Sequence, residues 1–231
     1  MKTLSIATAA ALLGSTLAAH AVTATFDDLP SPPAATGAGA LYYVNNNSSS
    51  YDGVVWDPRF VVVGDQYRIA PPGSPLFGLP NSGHYFVTNG TGNVGGVATS
   101  DGLTLTTTQV LTSAWFGQNE YYGFGGGADQ ITVSALHGAT VLGSVSMNLP
   151  ETHPGQPEPL QKLDTSAFLA LSGITGYRID RHEPSQYRDS WIGDDFKFQA
   201  PVPEVSSAGL LALGLGSLAL LRPTRRRTGR A

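Results

Sequence analysis

Cysteine is absent from the 231 residues, which excludes disulfides and thiolate chemistry throughout the chain. Charge is scarce, at 13% of residues, and the positive part of it is displaced to the two ends. Six of the thirteen basic residues are Lys2, Arg222, Arg225, Arg226, Arg227 and Arg230. Residues 22–200 keep seven basic against sixteen acidic side chains, a net of −9. A surface that acidic repels phosphate backbones, so nucleic acid is excluded as a partner. Helical periodicity is missing as well, since no amphipathic 3.6-residue repeat runs through residues 22–200. There is no G-x-S-x-G elbow and no Walker loop, which leaves serine and phosphate chemistry without an anchor.

Some motifs are present in letter only. Gly90-Thr-Gly92-Asn-Val-Gly95 and Gly123-Phe-Gly125-Gly-Gly-Ala128 match the dinucleotide fingerprint and its looser form. That fingerprint works only where a helix N-terminus follows to receive the pyrophosphate, and strand-like residues follow both copies. They are glycine-rich turns. His182-Glu183-Pro-Ser-Gln186 lacks the second histidine of a zinc helix, and Pro184 breaks the helix it would need.

What the chain does contain is 28 glycines, many short Thr, Ser and Asn stretches, and three Trp, nine Tyr and nine Phe, all between residues 22 and 200. Short β-branched and aromatic runs between breaker-rich loops predict about ten to twelve strands in an all-β, two-sheet antiparallel β-sandwich. The first strand is expected over Val22–Asp28 and the last over Trp191–Phe198. His137-Gly138 predicts a tight hairpin between Ile131–Ala135 and Val141–Leu149. Phe168–Leu171 reads as a further strand, and Pro150–Pro159, with four prolines, as a loop.

The ends are of a different kind. Lys2, the apolar Leu4–Ala18 and Ala19-His20-Ala21 form the three zones of a secretory signal peptide, residues 1–21, cut by signal peptidase. Residues 201–231 hold a proline-bearing spacer, an apolar run from Ala208 to Leu221 and the arginine cluster. Fourteen residues rise only about 21 Å as a helix against roughly 30 Å of hydrocarbon, which suits transient membrane association better than a permanent anchor. Both ends are expected to be short helices flanking the sandwich. In this order of parts, Val202-Pro203-Glu204-Val205 followed by the apolar run and Arg225, Arg226 and Arg227, the tail resembles the PEP-CTERM sorting signal of Gram-negative bacteria. Val205 stands where that signal has its second proline. The resemblance implies an exosortase-type processing enzyme as partner, and a mature chain from about Val22 to a point within Pro201–Ser207. Within the body, Phe26-Asp-Asp-Leu29, Tyr51–Trp56, Ala114–Phe116, Gly173–Ile179 and Gly193–Phe196 are similar to the jelly-roll ectodomains that accompany such tails.

Two constellations carry candidate chemistry. Asp27-Asp28 and Asp194-Asp195 fall on the expected first and last strands. Strand alternation would set Asp28 with Phe26 and Asp194 with Phe196 and Phe198 on inward faces. Buried carboxylates need compensation, and a structural calcium held by Asp28 and Asp194, with Asp27 and Asp195 beside them, would supply it. A hydrogen-bonded carboxylate capping a strand bulge at Gly193 is the alternative. Tyr42-Tyr43 and Tyr121-Tyr122 are the second constellation. Adjacent tyrosines on a strand point to opposite faces, so one of each pair could stack on a sugar ring while the other packs inside; core or turn packing of both is the other possibility.

Together these imply export through the inner membrane, a periplasm-facing stage, and residence at the cell surface or in the extracellular matrix. A non-catalytic module associated with exopolysaccharide is the expected role. The alternatives are a polysaccharide hydrolase or lyase and a purely structural surface protein.

Overall fold

The computed structural model describes residues 21–29, 42–44, 50–68, 75–89, 101–119, 127–182 and 190–201. The helix expected over 208–221 and the sorting residues from Val202 to Arg227 lie outside them, as does the helix expected over 1–21 except for Ala21, which is in a strand instead. Among the described residues no helix is long and apolar enough to cross a membrane.

Twelve strands run β1 (Ala21–Ala24), β2 (Tyr42–Tyr43), β3 (Val55–Trp56), β4 (Val61–Gly64), β5 (Tyr85–Thr88) and β6 (Leu103–Thr106). They continue as β7 (Val110–Gln118), β8 (Gln130–His137), β9 (Thr140–Asn148), β10 (Gln161–Asp164), β11 (Gly176–His182) and β12 (Trp191–Gln199). Two antiparallel sheets result. One has the order β10-β7-β12-β5-β4-β2 with β1 also on β12; the other has β3-β6-β11-β8-β9. The final strand is therefore central. It takes β7 along one edge, while β5 (at Ile192 and Gly193) and β1 (from Phe196 to Gln199) divide the other.

Local chemistry explains several elements. Gly138, at φ 57°, allows the two-residue turn that pairs His137 with Thr140 and launches β9 along β8. Leu103-Thr-Leu-Thr alternates buried and exposed as a half-covered strand should. Phe168 departs from its expected strand and sits in a 3-10 turn, Ser166–Ala170. Thr165 causes this. Its hydroxyl donates to the Leu111 carbonyl at 2.7 Å, its own carbonyl accepts the Phe168 N–H at 2.9 Å, and the Phe168 ring swings into the core.

Between the sheets lies an aromatic core. Trp56 is fully buried and packs edge-on against Phe60, Phe196 and Phe26, with ring centroids 5.1, 5.2 and 5.1 Å away. Its indole N–H donates to the Tyr51 carbonyl at 3.2 Å. Leu103, Leu105, Val133 and Ile179 meet these rings from the five-stranded sheet. A second, smaller cluster of Val61, Val63, Tyr67, Phe77, Phe86, Leu160 and Ile192 covers the outer face of the seven-stranded sheet. Val61-Val62-Val63 is accordingly apolar without alternation, because both of its faces are covered.

Candidate functional site

Three of the four aspartates, Asp27, Asp194 and Asp195, meet where β1 and β5 divide the edge of β12. One extra residue enters β12 there, since Asp194 stands opposite Trp115 and Lys197 opposite Ser113. Asp195 takes up the bulge in the left-handed region at φ 48°. The parity of the strand changes at that point. Gly193 packs against the rings of Trp191, Phe116 and Phe196 on the inner face. Asp194 shares the outer face with Ile192, so it does not point inward with Phe196 and Phe198 as uninterrupted alternation requires. It is nonetheless completely buried.

That burial is compensated by the chain itself. Asp194 Oδ2 accepts the N–H groups of Asn81 (2.8 Å) and Ser82 (3.0 Å), and Oδ1 accepts the N–H of Asp195 (2.7 Å). Burial pushes the Asp194 carboxyl up to about 7, and the charge of Asp195 adds to it against the lowering pull of those donors. Asp195 accepts from the Asn81 amide (2.6 Å) and the Ser82 hydroxyl (2.7 Å). Both carboxylates thus grip one loop, 81–84, that leads into β5.

Asp27 grips the same loop from the other side, accepting the His84 N–H at 2.7 Å. His84 Nδ1 also meets Asp65 at 2.9 Å, and its imidazole is raised by that bond. Asp28 is placed differently from its expected inward position. β1 ends at Ala24 and Phe26 turns left-handed at φ 64°, so the strand stops before it reaches the aspartates. Phe26 is buried, while Asp28 is exposed and accepts the Tyr51 hydroxyl at 2.6 Å. The same hydroxyl accepts the Phe26 N–H at 3.0 Å, and burial followed by the Asp28 bond drives the Tyr51 phenol upward. Asp28 and Asp194, expected to share an ion, are engaged by separate partners. Among the described residues no group of three His, Asp or Glu side chains is arranged to hold a metal.

Gly83 makes the clamp possible. It sits at φ 58°, and a Cβ there would overlap the Asp27 carboxylate. Gly83→Ala is expected to destabilise the protein by about 2 kcal/mol, from left-handed strain and a displaced charged hydrogen bond. Urea unfolding checks this; an unchanged midpoint would show that the loop does not depend on Asp27.

Tyr42 and Tyr43 form β2, paired with Val62 and Val61. Their side chains, and Tyr121 and Tyr122 altogether, lie outside the described residues.

A groove that the sequence did not reveal lies over the second cluster. It has a volume of about 320 Å³ and is lined by Leu76, Leu79, His153, Gln156, Pro157 and Pro159. Its histidine is fixed from behind. Buried Glu158 accepts from Nδ1 of His153 at 2.9 Å and from the Thr152 hydroxyl at 2.6 Å, and from the backbone N–H groups of both residues. Burial alone would raise Glu158, but these donors outweigh it and hold the carboxyl at about 2. The only trace of it in the sequence is that His153 and Glu158 share one proline-rich loop, which by itself reads as mere connection.

No family model matches the chain, and no curated protein matches it. Among solved structures it is similar to one described as the K2 cleaved adhesin domain of Lys-gingipain. The two are 16% identical over 77% of this chain and 97% of the other, with a TM-score of 0.38. A likeness of that size leaves fold and site to be read from this chain's own residues.

Proposed function

We propose that the protein is an exported, non-catalytic surface or matrix module that holds exopolysaccharide in the groove over the seven-stranded sheet. The groove is the observation that carries this reading. Leu76, Leu79, Pro157 and Pro159 offer an apolar wall to the C–H face of a sugar, and Gln156 and His153 offer hydrogen bonds at its rim. The sorting-tail resemblance supplies the extracellular setting, with exosortase processing and a jelly-roll-like body as parts of the same proposal. An acidic polysaccharide facing a body of net −9 needs a bridging divalent cation, and calcium enters the reading in that capacity.

One observation favours a second reading. His153 backed by an ionised, buried glutamate is how a protein orients a general base, which would suit a polysaccharide lyase or hydrolase. Titration of the protein with its host's polysaccharide, with calcium present, separates the readings. Binding without turnover is expected, and Gln156→Ala or His153→Gln should weaken it severalfold, roughly 1 kcal/mol for each lost hydrogen bond. Weakening by Tyr121→Ala or Tyr122→Ala instead would move the contact to that loop. New reducing or unsaturated ends after long incubation would make the protein an enzyme. No binding at all would leave the structural role.

A further inference from the structure

Sheets end in strands whose outer backbone groups are unpaired, and natural proteins blunt such ends with shortness, charge or proline. Four of the outer strands follow that rule. β2 and β3 have two residues each, β1 has four, and β10 has four with Lys162 and Asp164 among them. The fifth does not. β9 has nine residues, Thr-Val-Leu-Gly-Ser-Val-Ser-Met-Asn, without charge or proline. It pairs with β8 along one edge, and among the described residues no strand pairs with the other. A register shift near Leu136 disturbs only its start, so Gly143–Asn148 is a regular six-residue edge.

We propose that this edge pairs with the same edge of a second copy of the chain, joining two five-stranded sheets into one across a two-fold axis. Three features on this side of the molecule point to a copy rather than to another partner. The chain carries no Asp, Glu, Lys or Arg from Gln130 to Pro150, so two bodies of net −9 meet with least repulsion along this hairpin. An antiparallel partner of equal length and equally unprotected edge is available in the copy itself. Exposed apolar surface adjoins the edge. Val141, 46% exposed, lies on β9, and Leu169, 45% exposed, lies on the 3-10 turn, close to Leu171, which reaches the inner side of Gly143.

Side-chain parity fixes the pairing. Residues directly opposite each other must point to the same face, so an inward residue meets an inward one. Val133 and Val145 are paired on the inner face, and Ser134 with Ser144 and Thr132 with Ser146 are hydrogen-bonded on the outer face. A two-fold pairing therefore needs a residue at its centre, and centred on Val145 within the regular Gly143–Asn148 edge it sets Val145 opposite Val145, and Ser144 of each copy opposite Ser146 of the other.

Sedimentation equilibrium of the full chain in mild detergent tests this with charge-swapped variants. The unaltered chain should be dimeric. The double change Ser144→Lys with Ser146→Lys sets like charges opposite each other at two places and should raise the dissociation constant about tenfold. Ser144→Glu with Ser146→Glu should do the same, and an equimolar mixture of the two variants should regain the dimer. Circular dichroism on each variant confirms the fold, and Val141→Lys provides an independent disruption should either double variant misfold. A monomeric unaltered chain, or a dimer that all these changes leave intact, overturns the proposal.

Discussion

Replacing Trp56 by alanine is expected to cost about 3–5 kcal/mol, a large part of the stability of a domain this size. The indole is fully buried and meets Phe26, Phe60 and Phe196 edge-on, and these rings come from three distant parts of the sequence. Its removal opens a void that rigid neighbouring rings cannot close, and it leaves the Tyr51 carbonyl without the indole N–H. Trp56→Phe should recover much of the packing but not that bond. Thermal and urea unfolding of both variants checks the ranking. A loss below about 1 kcal/mol for Trp56→Ala would show that the core collapses around the gap.

The second large effect is a dependence of stability on pH, centred on Asp194. Its carboxyl is raised to about 7 in the folded protein by burial, against 3.8 ordinarily. Between these values the folded state keeps a proton that the unfolded state has released, so raising the pH favours unfolding. Stability is expected to be greatest near pH 4, to fall through pH 5 and 6, and to level off above about 7. The full change is about 4 kcal/mol, at 1.36 kcal/mol for each pH unit between the two values. Asp194→Asn should remove most of this fall, since the group that drives it no longer titrates, and leave only smaller contributions such as that of His84. Urea midpoints across that range for both proteins are the measurement. A profile that rises from pH 4 to 7 would show that the three N–H donors overcome burial and hold the carboxylate ionised.

Much of the architecture was legible because strand chemistry is local. Leu103-Thr-Leu-Thr announces a half-covered strand, and His137-Gly138 announces the hairpin, each within a few residues. The aspartate pairs were legible as a constellation, and three of the four do converge on the loop 81–84. Their orientation was not. Alternation holds only while the ladder is regular; the alternative of a bulge at Gly193 with a hydrogen-bonded carboxylate comes near the observed arrangement, but the bulge falls at Asp195 and reverses the parity there. Phe26 likewise takes a left-handed conformation that a phenylalanine seldom adopts, and this removes Asp28 from the interior. Phe168 misled for a related reason. An apolar tetrad reads as a strand unless the threonine before it finds a carbonyl to bond, and the Leu111 carbonyl comes from far away in the sequence. The groove depends on Glu158, whose importance arises only once the loop folds back to bring His153 and Thr152 around it.

The position of β12 has a consequence for how the body comes into being. During synthesis the residues that the seven-stranded sheet is built around emerge after all its other strands. Until Trp191–Gln199 is available, β7 lacks a neighbour on one side, and β1 and β5 have no shared edge to lie against. A nascent chain of 190 residues therefore holds both flanks of a sheet without its middle. Closure waits on contacts between the two extremes of the body, Val22 against Phe198 among them, and pairings of such sequence separation are slow to form. Shortening the body by a few residues at its C-terminal end would remove no dispensable fringe; it would take away the strand against which both halves of that sheet are assembled.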